Sequence, residues 1–170
     1  MSRLFAVGLG LVALAVMTAL ERTGTLSGVR ADPCAVLVTY LAFRFDLVGG
    51  AISALLLGFL LDVTAASPTG LHQLTLMVLF VLLRVVANAV QLDPGPKLWP
   101  VAAAAAFFHR LMVTSLVGLF SSGTQPLGSV WDAVWATLLT NAILAIPLLW
   151  VTDRVARRVH PEPEHLFLIK

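Results

Sequence analysis

The sequence predicts an all-α integral membrane protein, a single bundle of six transmembrane helices with both termini in the cytoplasm. Three observations predict it. First, 59% of the 170 residues are hydrophobic and only 12% are charged, against about 45–50% and about 25% in soluble domains. Such a chain cannot cover a water-facing surface, and it is too apolar to be disordered. Second, the apolar residues fall into six segments, at 4–20, 33–45, 47–61, 71–92, 98–120 and 130–151. Third, the basic residues between those segments lie mostly on one side. The length suits one domain, a six-helix unit over 1–159 followed by a short cytoplasmic tail at 160–170.

The first segment follows Arg3 and carries no charge. It closes Thr18-Ala19-Leu20-Glu21, without the small-residue pattern of a cleavage site, and reads as an uncleaved span. The second opens with Asp32 as N-cap and Pro33 in the first turn. It is short for a span, which needs about 20 residues. With the third, which ends at Asp62, it reads as a helical hairpin turning at Arg44-Phe45-Asp46. The fourth carries Arg84 and Asn88, and the fifth carries His109 and Arg110. The sixth has Trp131, Trp135 and Trp150 near its ends, where tryptophan favours the headgroup level. Asp93-Pro94-Gly95-Pro96 and Ser121-Ser122-Gly123 break the chain between the last three.

Six spans put both termini on one side. With the N-terminus inside, the cytoplasmic segments hold Arg3, Arg44, Lys97, Arg154, Arg157, Arg158 and Lys170, and the outer loops hold only Arg22 and Arg30. The excess of basic residues inside sets that orientation. Arg154, Arg157 and Arg158 share a helix face suited to the anionic inner leaflet, or to a cytoplasmic partner.

Few residues carry chemistry. The single cysteine, Cys34, excludes an internal disulfide, and no Cys/His cluster suggests zinc. The net charge of +2 is too small to mark a nucleic-acid partner. There is no GxSxG, P-loop or HExxH pattern and no paired carboxylates at helical spacing, so no catalytic residue, cofactor or metal site is expected. Asp62 and His72 flank one loop, but two isolated ligands make a weak metal signal. Gly50, Ala54 and Gly58 recur at every fourth residue and form a small-residue face, suited to packing within the bundle or to docking another protein's helix. Arg84 and Arg110 fall near the membrane midplane, where a charge costs at least about 2.5–3.5 kcal/mol. No carboxylate is expected at their depth; His109, Thr114, Asn88 and Asn141 are the nearer polar groups. They serve either an internal network or a contact with a ligand or partner helix. For the same reason, His109 is expected to lack the carboxylate that a proton relay would need.

The stretch 32–84 carries a resemblance. It reads Asp32-Pro33, then Leu41-Ala42-Phe43-Arg44, Gly49-Gly50 and Gly58-Phe59-Leu60-Leu61-Asp62, and finishes Ser67-Pro68-Thr69-Gly70-Leu71-His72. This block resembles the MreD family of bacterial rod shape-determining proteins. One departure is Asp32-Pro33, where family members often have Pro-Asp. Read physically, Pro68 and Gly70 force a tight turn, and Asp62 caps a backbone N–H or meets His72, fixing an outer corner between two helices.

The resemblance implies a non-enzymatic scaffold of the cell-elongation machinery (the elongasome) in the bacterial inner membrane. Its partner would be the transmembrane helix of MreC. Through it the chain would be linked to MreB filaments, to RodA and to a class B penicillin-binding protein, and so to peptidoglycan synthesis and cell shape. The small-residue faces and embedded arginines are the expected contacts. Monomer and homo-oligomer are both open. A rival reading comes from a second likeness: six short helices in one domain resemble the substrate-binding subunits of ECF-type vitamin transporters. There Arg84, His109, Arg110 and Asn141 would line a ligand pocket, and a cavity with converging aromatic and polar groups would mark it.

Overall fold

The computed structural model describes residues 32–65, 70–90, 95–120 and 127–159, with Gly8 and Val12 as isolated positions. The rest of the first expected span, Pro68 and the tail at 160–170 lie outside the described residues. The described residues form five α-helices and no strand: α1 (Pro33–Arg44), α2 (Leu47–Ala65), α3 (Leu71–Ala89), α4 (Trp99–Phe120) and α5 (Leu127–Val159), with a 3₁₀ turn at Pro96–Leu98 before α4.

Helix α1 organises the bundle. Pro33 occupies its first turn, where a missing N–H costs nothing. The Asp32 carboxylate accepts from Ala35 N–H at 3.0 Å, and the helix stops where Phe45 turns extended. Every residue from Pro33 to Ala42 is buried. The helix touches all four others, while α2 contacts α3, α3 contacts α4, and α4 contacts α5. A helix buried on every side needs no polar face, and α1 has almost none: PCAVLVTYLAFR. Its one mid-helix hydroxyl, on Thr39, bonds back to the Ala35 carbonyl at 2.9 Å.

Twelve residues extend about 18 Å, against about 30 Å of hydrocarbon. The second of the six expected spans is therefore a short inner helix. Four described helices are long and apolar enough to cross a membrane. The protein is an all-α membrane protein, and α1 is the core around which those four pack.

The hairpin turn at Arg44–Asp46 is present, and Asp46 caps α2 by accepting from Gly49 N–H at 3.0 Å. Helix α2 runs on to Ala65, so Asp62 lies inside its last turn rather than closing it. Helix α3 stops at Ala89, short of the expected 92. Helix α5 spans 33 residues, about 50 Å, and carries Pro147 inside. It outruns the expected 130–151 at both ends; at the C-terminal end its polar last turns continue the helix past the apolar stretch.

Gly50, Ala54 and Gly58 are all buried. A Cβ on Gly58 would lie 2.5 Å from Gln73 Cα, and one on Gly50 would lie 2.5 Å from the Phe80 ring. The small-residue face is therefore spent inside the chain, where it seats α2 against α3, and offers no docking face to another protein. Val48, Ile52, Leu56, Phe59 and Val63 form the exposed apolar stripe of α2 instead. Gly58→Ala meets backbone rather than a movable side chain. It should destabilise the bundle by about 1–3 kcal/mol, the usual cost of overpacking, read by titrating the purified protein with sodium dodecyl sulfate and following helicity.

Chain direction brings the ends of α1, α3 and α5 and the starts of α2 and α4 to one end of the bundle. Arg44, Lys97, Arg154 and Arg157 all belong to that end. Arg154 stacks over Trp150 at 5.0 Å, and Arg157 pairs with Asp153 at 2.8 Å.

Candidate functional site

Because α1 is short, its N-terminus begins deep in the bundle. His109, the eleventh of the 22 residues of α4, stands near the middle of that helix. Its Nδ1 is bonded to the Asp32 carboxylate. Its Nε2 lies 3.0 Å from the Thr75 hydroxyl of α3. The Asp32 backbone N–H donates to Asn141 Oδ1 of α5 at 2.7 Å. One polar node thus ties the start of α1 to α3, α4 and α5. His109 is 2% exposed, and Thr75 and Asn141 are fully buried. The His72 ring lies beside it, 5.6 Å from His109 centre to centre.

This corrects the expectation that no carboxylate stands at the depth of His109. A full-length second span would put Asp32 in an outer loop. A twelve-residue helix begins half-way, and its cap residue goes with it. Burying an unpaired carboxylate would cost several kcal/mol. Here one carboxylate oxygen faces Ala35 N–H and the other an imidazole. Asp32 also puts negative charge at the positive end of the helix dipole.

The other end of α1 is treated symmetrically. Arg84 of α3 donates from one guanidinium nitrogen to the carbonyls of Ala42 and Phe45, at 2.8 and 2.9 Å. Ala42 belongs to the last turn and Phe45 is the C-cap; such carbonyls have no partner inside the helix and lie at its negative pole. Arg84 therefore needs no carboxylate.

The third polar group is the corner between α2 and α3. The Asp62 carboxylate accepts from the backbone N–H groups of Gly70 (2.9 Å), His72 (2.8 Å) and Gln73 (3.2 Å). These belong to the first turn of α3, whose N–H groups lack helical partners. Gly70 reaches φ +93°, open to glycine at no steric cost. Asp62 is 5% exposed, so an amide there would aim N–H at N–H. Asp62→Asn should loosen the corner by about 1–3 kcal/mol, the cost of leaving buried donors unsatisfied. Faster amide exchange confined to the start of α3 would register it.

Of the remaining residues singled out by sequence, Arg110 is partly buried beside His109, and Asn141 belongs to the node. Thr114 and Asn88 are exposed and take no place in it. Thr75, the capping bond of Asp46 and the depth of Asp32 carry no signal in the sequence. The motif Asp-Pro at a helix start was visible; the depth of that start was not.

The model of rod shape-determining protein MreD matches residues 3–155. The chain belongs to the MreD family. Membership gives this MreD-family protein a role in rod shape determination, within the shape-determining system that includes MreC and MreB. The family is one of shape-determining membrane proteins rather than of enzymes. No curated protein and no solved structure matches the chain. Chemically, the described polar groups of this MreD-family chain act as fasteners: Asp32, Asp62, Thr75, Arg84, His109 and Asn141 each bond another part of the same chain.

Proposed function

We propose that the protein is a non-enzymatic scaffold of the elongation machinery in the bacterial cytoplasmic membrane. It binds the single transmembrane helix of MreC. Through MreC it couples MreB filaments inside to RodA and a class B penicillin-binding protein, which build the peptidoglycan outside. The family match over 3–155 carries this reading. The use of the polar groups supports it, since Asp32, Arg84 and His109 serve helix ends rather than a bound substrate.

The basic end of the bundle, with Arg44, Lys97, Arg154 and Arg157, faces the cytoplasm by the positive-inside rule. The apolar segment at 4–20 supplies a further span, with N-terminus and C-terminus both inside. The protein works as a monomer wrapped by partners or as a homo-oligomer; the sizing of the complex below distinguishes these.

The vitamin-transporter reading needs Arg84, His109 and Asn141 free to meet a ligand. All three are committed within the chain, and the reading gains no support from them. Affinity purification of the tagged protein from native membranes, with mass spectrometry of its companions and sizing of the complex, tests the proposal. Stoichiometric recovery of an MreC-like protein with one transmembrane helix is expected. Recovery of ATPase subunits with an energy-coupling membrane protein would overturn it.

A further inference from the structure

An open groove of about 570 Å³ runs between α3 and α4. Leu82, Leu83 and Val86 line one side, and Pro100, Ala104 and Phe108 the other. The lining is apolar throughout its length. It occupies the half of the bundle nearer the basic end, because α3 finishes there and α4 starts there. Lys97 is exposed and lies one short turn before Pro100, which lines the groove. Trp99, beside it, is 44% exposed, as suits a tryptophan at headgroup level.

We propose that this groove is a binding site for an anionic glycerophospholipid, with an acyl chain between α3 and α4 and the phosphate on Lys97. Two features select a lipid over a protein helix. Helices approach each other in a membrane through small residues, but Leu82, Val86 and Phe108 are bulky and stand partly exposed at the rims. They hold a second backbone away, while a flexible hydrocarbon chain threads between them. Lys97 belongs to the end of the bundle where the headgroup of a lipid so placed would lie, and one lysine at the surface favours an anionic headgroup by about 1 kcal/mol, roughly fivefold.

Native mass spectrometry of the purified full-length protein, titrated with dioleoyl phosphatidylglycerol or dioleoyl phosphatidylethanolamine, tests the site. The unaltered protein should retain phosphatidylglycerol about fivefold better. Lys97→Glu should abolish that preference. The Lys97 side chain is exposed, although its neighbour Leu98 is buried, so this arm alters no core side chain. Ala104→Trp fills the groove and should weaken both lipids at least fivefold. Val85→Trp, at a position 63% exposed outside the groove, should change neither. An unchanged headgroup preference in Lys97→Glu would overturn the proposal. So would equal lipid binding by Ala104→Trp and Val85→Trp. Loss of a co-purifying membrane protein from Ala104→Trp with lipid binding intact would also overturn it, making the groove a helix seat.

Discussion

Asp32→Leu should destabilise the bundle by about 3–5 kcal/mol, the cost of removing one partner from a buried charged pair. The substitution strips the Ala35 N–H of its acceptor and His109 of its partner at once. It also removes the negative group at the positive end of α1. The Asn141 bond survives, because it uses the Asp32 backbone. His109→Leu should cost a comparable amount, since it leaves the buried Asp32 carboxylate with the Ala35 N–H alone. The double variant Asp32→Leu/His109→Leu should be more stable than the two losses added together, because neither partner is then left buried alone. Titration of all four proteins with sodium dodecyl sulfate, followed by circular dichroism, closes this cycle. Strict additivity would show that the two side chains do not support each other.

Arg84→Leu should have the next largest effect, about 2–3 kcal/mol, the scale of a hydrogen bond to a charged group lost from a buried site. Two carbonyls, of Ala42 and Phe45, lose their donor together. In hydrocarbon no water replaces it. Arg84→Lys retains the charge and one nitrogen with donors enough for both carbonyls, but on a shorter side chain, and should recover about half of the loss. The damage should be local. Amide exchange should quicken at the last turn of α1 and the Phe45–Asp46 turn, and leave the Asp62 corner protected. In cells, both Asp32→Leu and Arg84→Leu should lower the amount of protein in the membrane before they alter any partner. If Arg84→Leu were fully stable yet lost its partners, the arginine would be a docking residue instead.

Much of this was legible in residue order. Apolar runs gave α2, α3 and α4 nearly to their ends, because a bilayer demands long uninterrupted helices. Asp32-Pro33 marked the start of α1, and Pro-x-Gly after Asp62 marked the corner, because these residues act within a few positions of themselves. What stayed hidden was depth. Nothing local says that a twelve-residue apolar helix is central and does not reach both surfaces. That one unknown misplaced Asp32 and left His109 without a carboxylate. It also left Arg84 apparently unpaired, since its partners are backbone carbonyls 39 and 42 residues away, and carbonyls carry no sequence signature. The face of Gly50, Ala54 and Gly58 was visible as small, but which helix it meets depends on Gln73 and Phe80 across a turn.

The central claim is that α1 is a short helix buried whole, held by charge at both ends. The molecule carries its own probe, since its single cysteine, Cys34, sits in the first turn of α1 and is 0% exposed. The decisive measurement is the rate at which Cys34 reacts with the membrane-permeant reagent N-ethylmaleimide in native membranes, set against the rate in denaturing detergent. A buried α1 gives little or no labelling in membranes, full labelling after denaturation, and intermediate rates in Asp32→Leu. Labelling of the unaltered protein in membranes at the denatured rate would contradict it, and would place the start of α1 at an accessible surface.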